Sequence, residues 1–199
     1  MGMEMYKSLA AIREKETPGL IDALVKVELG DQPAPDDMEI LGVVGLLVGG
    51  GFDTTTALTA HALEWLSEHP EQRERLIEEY DTLVDSATEE FLRFYTPAQG
   101  DGRTISQDVE IDGVQFKEGD RVWLSWAMAN RDPEVFDDPN EIVLDRTGNR
   151  HASFGLGIHR CIGSNVARAV FKTMLRHVLE RMPTSAVSPP ARSTTTPPA

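Results

Sequence analysis

Apolar residues at helical spacing predict two short helices over residues 3–15 and 19–28, split by Thr17, Pro18 and Gly19. A polar, proline-containing connection runs from Gly30 to Asp37. From about Asp36 to His69 the pattern predicts one long helix. Its first half is apolar on almost every side, with Ile40, Leu41, Val43, Val44, Leu46, Leu47 and Val48. A helix without a polar face belongs inside a protein. His69 and Pro70 end it, residues 71–80 read as a short helix, and residues 84–95 form an amphipathic helix stopped by Pro97. The texture then changes. Val109-Glu110-Ile111 and Val122-Trp123-Leu124 lie in short strand-like runs, with Asp112-Gly113 as a turn signal. Residues 127–153 are loop-rich. A last helix is expected from near Cys161 to about Arg181. From Pro183 to residue 199 the chain is rich in Pro, Ser and Thr and reads as a disordered tail.

Composition narrows the function classes. At 199 residues the chain can build one sizeable core or two small ones. Its net charge of -14 argues against general nucleic-acid binding and against docking on anionic membranes. A single cysteine permits no internal disulfide and suits a reducing compartment. The first residues, MGMEMYKSLAAIREKE, lack a basic-then-apolar signal pattern. The longest apolar run, Ile40 to Phe52, is shorter than the roughly 18–20 residues that span a bilayer. A cytoplasmic protein with no membrane span is expected.

The chemistry concentrates at Phe154-Gly155-Leu156-Gly157-Ile158-His159-Arg160-Cys161-Ile162-Gly163. Two glycines before a cysteine allow a tight hairpin. The helix that follows would put its N-terminal amides near the sulfur, which favours thiolate. A thiolate in such a loop is a soft ligand for iron. Two other readings stand beside this one: a buried structural cysteine, and a Cys161–His159 nucleophile pair without an evident third group. A second signal lies in Gly49-Gly50-Gly51-Phe52-Asp53-Thr54-Thr55-Thr56. Each glycine costs about 1 kcal/mol against alanine inside a helix, and the threonines add crowding. A strong helix thus carries its worst formers at its centre, which marks either a functional site or a close helix crossing.

The string Phe-Gly-x-Gly-x-His-x-Cys-x-Gly resembles the haem-binding loop of the cytochrome P450 family. The glycine-threonine stretch is similar to that family's distal oxygen-binding groove. Glu90 and Arg93, an ordinary surface pair by spacing alone, resemble its Glu-x-x-Arg pair, with Arg146 as third member. Arg103, then Asp108 and Gly113, resemble the propionate-binding strand region. Ala129 to Pro133 and Phe136 match the loop before the meander. The matches cover residues 16–182 in the family order.

The resemblance implies a mostly α fold with a small β-sheet, the C-terminal haem-binding half of the P450 fold, over residues 1–182. It makes Cys161 the iron ligand and Phe154 its shield, with Gly155, Gly157 and Gly163 shaping the loop. Arg103 and His159 would reach haem propionates. Gly50 and Gly51 would open the helix beside the iron, and Asp53 and Thr54 would relay protons to bound oxygen. The implied cofactor is haem b (iron protoporphyrin IX), with O2 as co-substrate. The implied reaction puts one oxygen atom into a small organic substrate. Electrons come from a ferredoxin-type or other electron-transfer partner, since no flavin or nicotinamide fingerprint is present. The stripe Arg168, Lys172, Arg176 either docks that partner or compensates a helix dipole. Direct use of peroxide is a further option. Members of the family are about twice as long, so a truncated, non-catalytic remnant with weak or no haem binding is the rival reading.

Overall fold

The computed structural model describes residues 7, 9, 11–12, 18–28, 30 and 33–184. Most of the helix expected over residues 3–15 and the tail from residue 185 lie outside the described residues. Helix α1 spans Leu20–Val25, α2 Asp37–Glu68, α3 Pro70–Glu78, α4 Tyr80–Tyr95, α5 Trp126–Ala129 and α6 Ser164–Arg181. Four short strands lie between α4 and α5: β1 Gly100–Thr104, β2 Val109–Ile111, β3 Val114–Phe116 and β4 Arg121–Ser125. The fold is mostly helical, as the sequence implies. The strands form two separate antiparallel pairs, β1 with β4 and β2 with β3, rather than a single sheet.

Two compact units divide the chain, residues 1–53 and 54–199, with the boundary inside α2. The first unit contains α1 and the start of α2. There the chain enters α2 through a reciprocal cap: Asp36 Oδ1 accepts from Glu39 N at 2.8 Å and Glu39 Oε2 accepts from Asp36 N at 2.9 Å. Ile40 is buried, but Met38, Leu46, Val48 and Phe52 are exposed. The sequence marks these side chains as needing neighbours, and most of them are exposed. Taken whole, α2 is also long and apolar enough to cross a membrane by length and composition, although its apolar run alone is not. It runs unbroken through Gly49–Thr56, so no opening at Gly50 and Gly51 interrupts it. Glycine weakens a helix, but the i to i−4 backbone bonds need no side chain, and the flanking turns carry it.

The second unit holds the core. Leu58, Ala62 and Leu66 of α2, Leu76 of α3, Leu83, Ala87 and Phe91 of α4, Leu144, and Phe171 and Leu175 of α6 form one buried cluster. Phe91 and Phe171 meet edge to face at 6.1 Å, linking α4 to α6. Helix α4 stops where Thr96 takes a left-handed conformation, φ 41°, before Pro97. Thr96 repays this strain with its hydroxyl, which donates to the Arg93 carbonyl at 2.7 Å. Asp112 and Gly113, both at positive φ, make the tight turn joining β2 to β3. At Gly100 only glycine fits, because a Cβ there would collide with the Leu124 carbonyl and the Trp123 ring.

Candidate haem-ligand loop and its support

The cysteine loop is built largely from its own backbone. Gly155 and Gly157 sit at φ 68° and 71°, where a side chain would be strained. The Gly155 N–H donates to the Ala152 carbonyl at 2.8 Å, and residues Gly157–His159 form one 3-10 turn. The Cys161 N–H donates back to the Phe154 carbonyl at 2.8 Å, closing the loop. Helix α6 starts three residues later, with Gly163 as its N-cap. The loop thus presents Cys161 as an exposed thiol, which removes the buried structural cysteine as a reading. Its neighbours are unusual for a surface. Ile158 is 96% and Ile162 93% exposed, and Leu156 and Val166 are exposed as well. Large aliphatic side chains around one sulfur mark a surface made to be covered.

Other expected site residues fall as follows. Phe154 is half-buried, with the Arg168 guanidinium 4.5 Å from its ring centre. His159 is exposed. Arg103, on β1, is half-buried and donates to the Gly102 carbonyl at 2.8 Å. Gly50, Gly51 and Asp53 are exposed positions of the first unit, and Thr54, in the second, is partly buried. A Cβ added at Gly50 or Gly51 would meet nothing within 4 Å.

The same unit holds a buried charge network. Glu90 and Arg93 are both fully buried, joined by two parallel bonds of 2.8 Å. Arg146 adds Nε to Glu90 Oε2 at 2.9 Å. The spare Arg93 hydrogens donate to the carbonyls of Asn130, Pro139 and Glu141. Glu90 also accepts from the Val143 N–H and from Asn149. Burial pushes the Glu90 carboxyl up, but the Arg93 bonds, the Val143 amide and Arg146 outweigh it and hold it below its ordinary value.

Sequence reasoning gave no role to Asn130, which is fully buried. Its amide donates to Thr96 Oγ1 and Ser153 Oγ at 2.8 Å each, and its carbonyl oxygen accepts from the Ala152 N–H at 2.6 Å. It thereby ties the end of α4 to the residues entering the cysteine loop. An asparagine between an alanine and an arginine carries no local signal of this.

The basic stripe on α6 is also corrected. Arg168, Lys172 and Arg176 pair with Glu89, Asp85 and Asp81 of α4 at 2.6, 2.8 and 2.5 Å. The cations share a face, as spaced, but each meets an acid on the neighbouring helix. The stripe is a helix-to-helix ladder, not an uncompensated basic patch.

Comparison with known proteins agrees with this arrangement. The family model described as Cytochrome P450 matches residues 3–192. The chain is 40% identical over 182 residues to the biotin biosynthesis cytochrome P450 of Bacillus subtilis, covering 91% of this chain and 45% of that protein. It is 35% identical to cytochrome P450 105A3 of Streptomyces carbophilus, covering 89% and 43%. Its structure resembles that of CYP109E1 from Bacillus megaterium in complex with testosterone, at a TM-score of 0.85 and 33% identity, over 96% of this chain and 52% of the other. The chain spans less than half the length of the curated relatives it matches. From the matched family model, the loop and the buried Glu90–Arg93–Arg146 network, the chain belongs to the cytochrome P450 family.

Proposed function

We propose that residues 1–182 form the haem-binding part of a monooxygenase, with Cys161 as the protein ligand to the iron of haem b. The observation that carries this reading is an exposed thiol on a loop closed by its own backbone and rimmed by exposed aliphatic side chains. The donor set fits the group. Among the described residues no three His, Cys, Asp or Glu side chains converge on a common point. A lone sulfur in an apolar rim suits a metal already held in a flat macrocycle, not a bare ion. When bound, haem supplies the activation of O2, one atom of which enters the substrate.

The chain's own residues bind and manage protons. Gly155, Gly157 and Gly163 keep the loop thin around Cys161, and Phe154 limits water near the sulfur. Arg103 and His159 supply donors for the propionates. Gly50 and Gly51 give α2 a face without side chains, and the Thr54 hydroxyl and Asp53 carboxyl form a proton relay. The carboxyl is exposed and can exchange protons with water, and the hydroxyl next to it in sequence would pass one on.

Electrons come from a separate ferredoxin-type or other electron-transfer protein in the cytoplasm. Because the α6 cations are paired across to α4, exposed Arg160 beside Cys161 is the better contact for an acidic donor. The substrate is a small organic molecule of apolar character. Relatives at 34% identity are named a vitamin D3 dihydroxylase and a steroid C26-monooxygenase. Helix α2 is read as a core helix of the family fold, not a membrane span.

A second reading has its own support. With Phe52, Leu46, Ile158 and Ile162 exposed and less than half of a relative's length present, the 199-residue chain alone would hold haem weakly and show no turnover. Both readings are tested by adding haemin to the purified chain, then recording stoichiometry, size-exclusion behaviour and the carbon monoxide difference spectrum after reduction. A thiolate-type spectrum that disappears in Cys161→Ser supports the ligand assignment, and its persistence in that variant overturns it. A monodisperse chain with one haem that oxidises a substrate with a ferredoxin system overturns the weak-binding reading.

A further inference from the structure

Glu89 and Glu90 are neighbours in sequence but face different ways on α4. Glu90 serves the buried Arg93–Arg146 network. Glu89 faces α6 and the entry to the cysteine loop. Its Oε1 accepts from Arg168 Nε at 2.6 Å, and its Oε2 accepts from Arg168 Nη2 at 2.7 Å. The same Oε2 lies 2.9 Å from His151 Nε2. His151 Nδ1 faces the Ser153 N–H at 3.2 Å, and a backbone amide can only donate. That fixes His151 as the tautomer with hydrogen on Nε2, so the ring donates to Glu89. The Arg168 guanidinium is thus clamped along one edge, with Nη1 donating to the Ser164 carbonyl at 3.3 Å. Its guanidinium carbon lies over the Phe154 ring, 4.5 Å from the centroid, and the His151 ring stands 6.0 Å from the same ring. The Phe154 carbonyl in turn receives the Cys161 N–H at 2.8 Å.

We propose that Arg168, held by Glu89 and His151, is a positioning residue for Cys161: it clamps the Phe154 ring and so fixes the segment whose carbonyl seats the cysteine amide. A lysine cannot replace it, because an ammonium offers neither the two-pronged bond nor a flat face. The other two rungs of the ladder have no ring of the loop beneath them and do not share this role. The significance for catalysis rests on Cys161 being the iron ligand, but the clamp itself can be read without haem.

The test is amide hydrogen exchange on the purified full chain, resolved at Cys161 and at Phe91 in the core. In Arg168→Gln and in Glu89→Gln, exchange at Cys161 should speed by about tenfold while Phe91 keeps its protection. Arg168→Lys should stay close to Arg168→Gln, which a role of charge alone does not predict. Lys172→Gln removes a neighbouring rung and should leave Cys161 exchange unchanged. If Arg168→Gln unfolds the chain, Arg168→Lys and Glu89→Gln carry the comparison. Equal acceleration at Cys161 and Phe91, or no acceleration at Cys161, overturns the proposal. In chain that takes up haemin, the same variants should lower the thiolate-type fraction of the carbon monoxide spectrum relative to the parent. Loss of that spectrum in the parent would count against the iron-ligand reading, with the exchange result still deciding the clamp.

Discussion

The Glu90 network and the cysteine loop lie close along the same unit, yet they are finished to different degrees. Glu90 and Arg93 are fully buried, and each meets several partners inside the chain. Around Cys161 the backbone closes on itself, but the side chains face outward: a thiol, two isoleucines and a leucine, all exposed. The frame is complete within this chain, whereas the face it supports is complete only with something laid on it. Stability and function should therefore separate cleanly between the two regions.

The sharpest way to break that contrast is Arg93→Ala. It takes both Arg93 bonds from a buried carboxylate that keeps Arg146, Val143 and Asn149, and it frees three carbonyls. Loss of one partner of a buried pair costs about 3–5 kcal/mol. That is a large fraction of what a domain of this size has to lose, so the urea midpoint should fall steeply. Cys161→Ser, by contrast, should leave the urea midpoint of haem-free chain almost unmoved. Asn130→Ala comes next. It leaves the buried Ala152 N–H without an acceptor and opens a hole between α4 and the loop entry, for about 2–3 kcal/mol. A midpoint shift under a third of the Arg93→Ala effect would show that the Asn130 hub is peripheral to the frame.

Acid should act on the seam between the regions. Burial pushes the Glu89 carboxyl up, but the bonds from Arg168 and His151 prevail and hold it at about 2. A carboxyl lowered on folding contributes stability above its unfolded value and loses it as pH falls through the folded one. The parent should therefore lose stability between about pH 4.5 and 2 in part through this group, and Glu89→Gln should flatten that limb. Glu90, lowered for similar reasons, adds to the same limb with the same sign. Unchanged acid dependence in Glu89→Gln would mean that the pair with Arg168 persists in the unfolded chain. The smallest effect belongs to Lys172→Glu. Its partner Asp85 is almost fully solvated, and exposed rungs of this kind contribute about 0–1 kcal/mol. A larger loss in thermal denaturation would show that the ladder is energetically coupled from rung to rung.

Much of this was legible in the chain. The helices near 36–69, 84–95 and 161–181 appear with ends shifted by a few residues, because period and punctuation by proline are local signals. The Cys161 loop was legible because its glycines and ligand sit within ten consecutive residues. What was hidden depends on pairs distant in sequence. Spacing showed that Arg168, Lys172 and Arg176 share a face, but not that Glu89, Asp85 and Asp81 wait opposite. Asn130, Thr96 and Ser153 meet only after folding. Periodicity also reported which residues of α2 want cover, and Leu46 and Phe52 among them are exposed.

The ladder between α4 and α6 repeats every four residues on both helices. Such a repeat holds the two helices together but sets neither direction nor position, since three evenly spaced acids match three evenly spaced cations either way round. Slid by one turn, the helices would still match two acids with two cations, like a comb engaged one tooth off. The stop must come from contacts that do not repeat: the Tyr80 hydroxyl on the Lys172 carbonyl at 2.6 Å, the Phe91–Phe171 edge contact, and Glu89 reaching both Arg168 and His151. Removing the Tyr80 hydroxyl and the His151 ring together would leave a pair of helices still drawn together but with little to say where they rest.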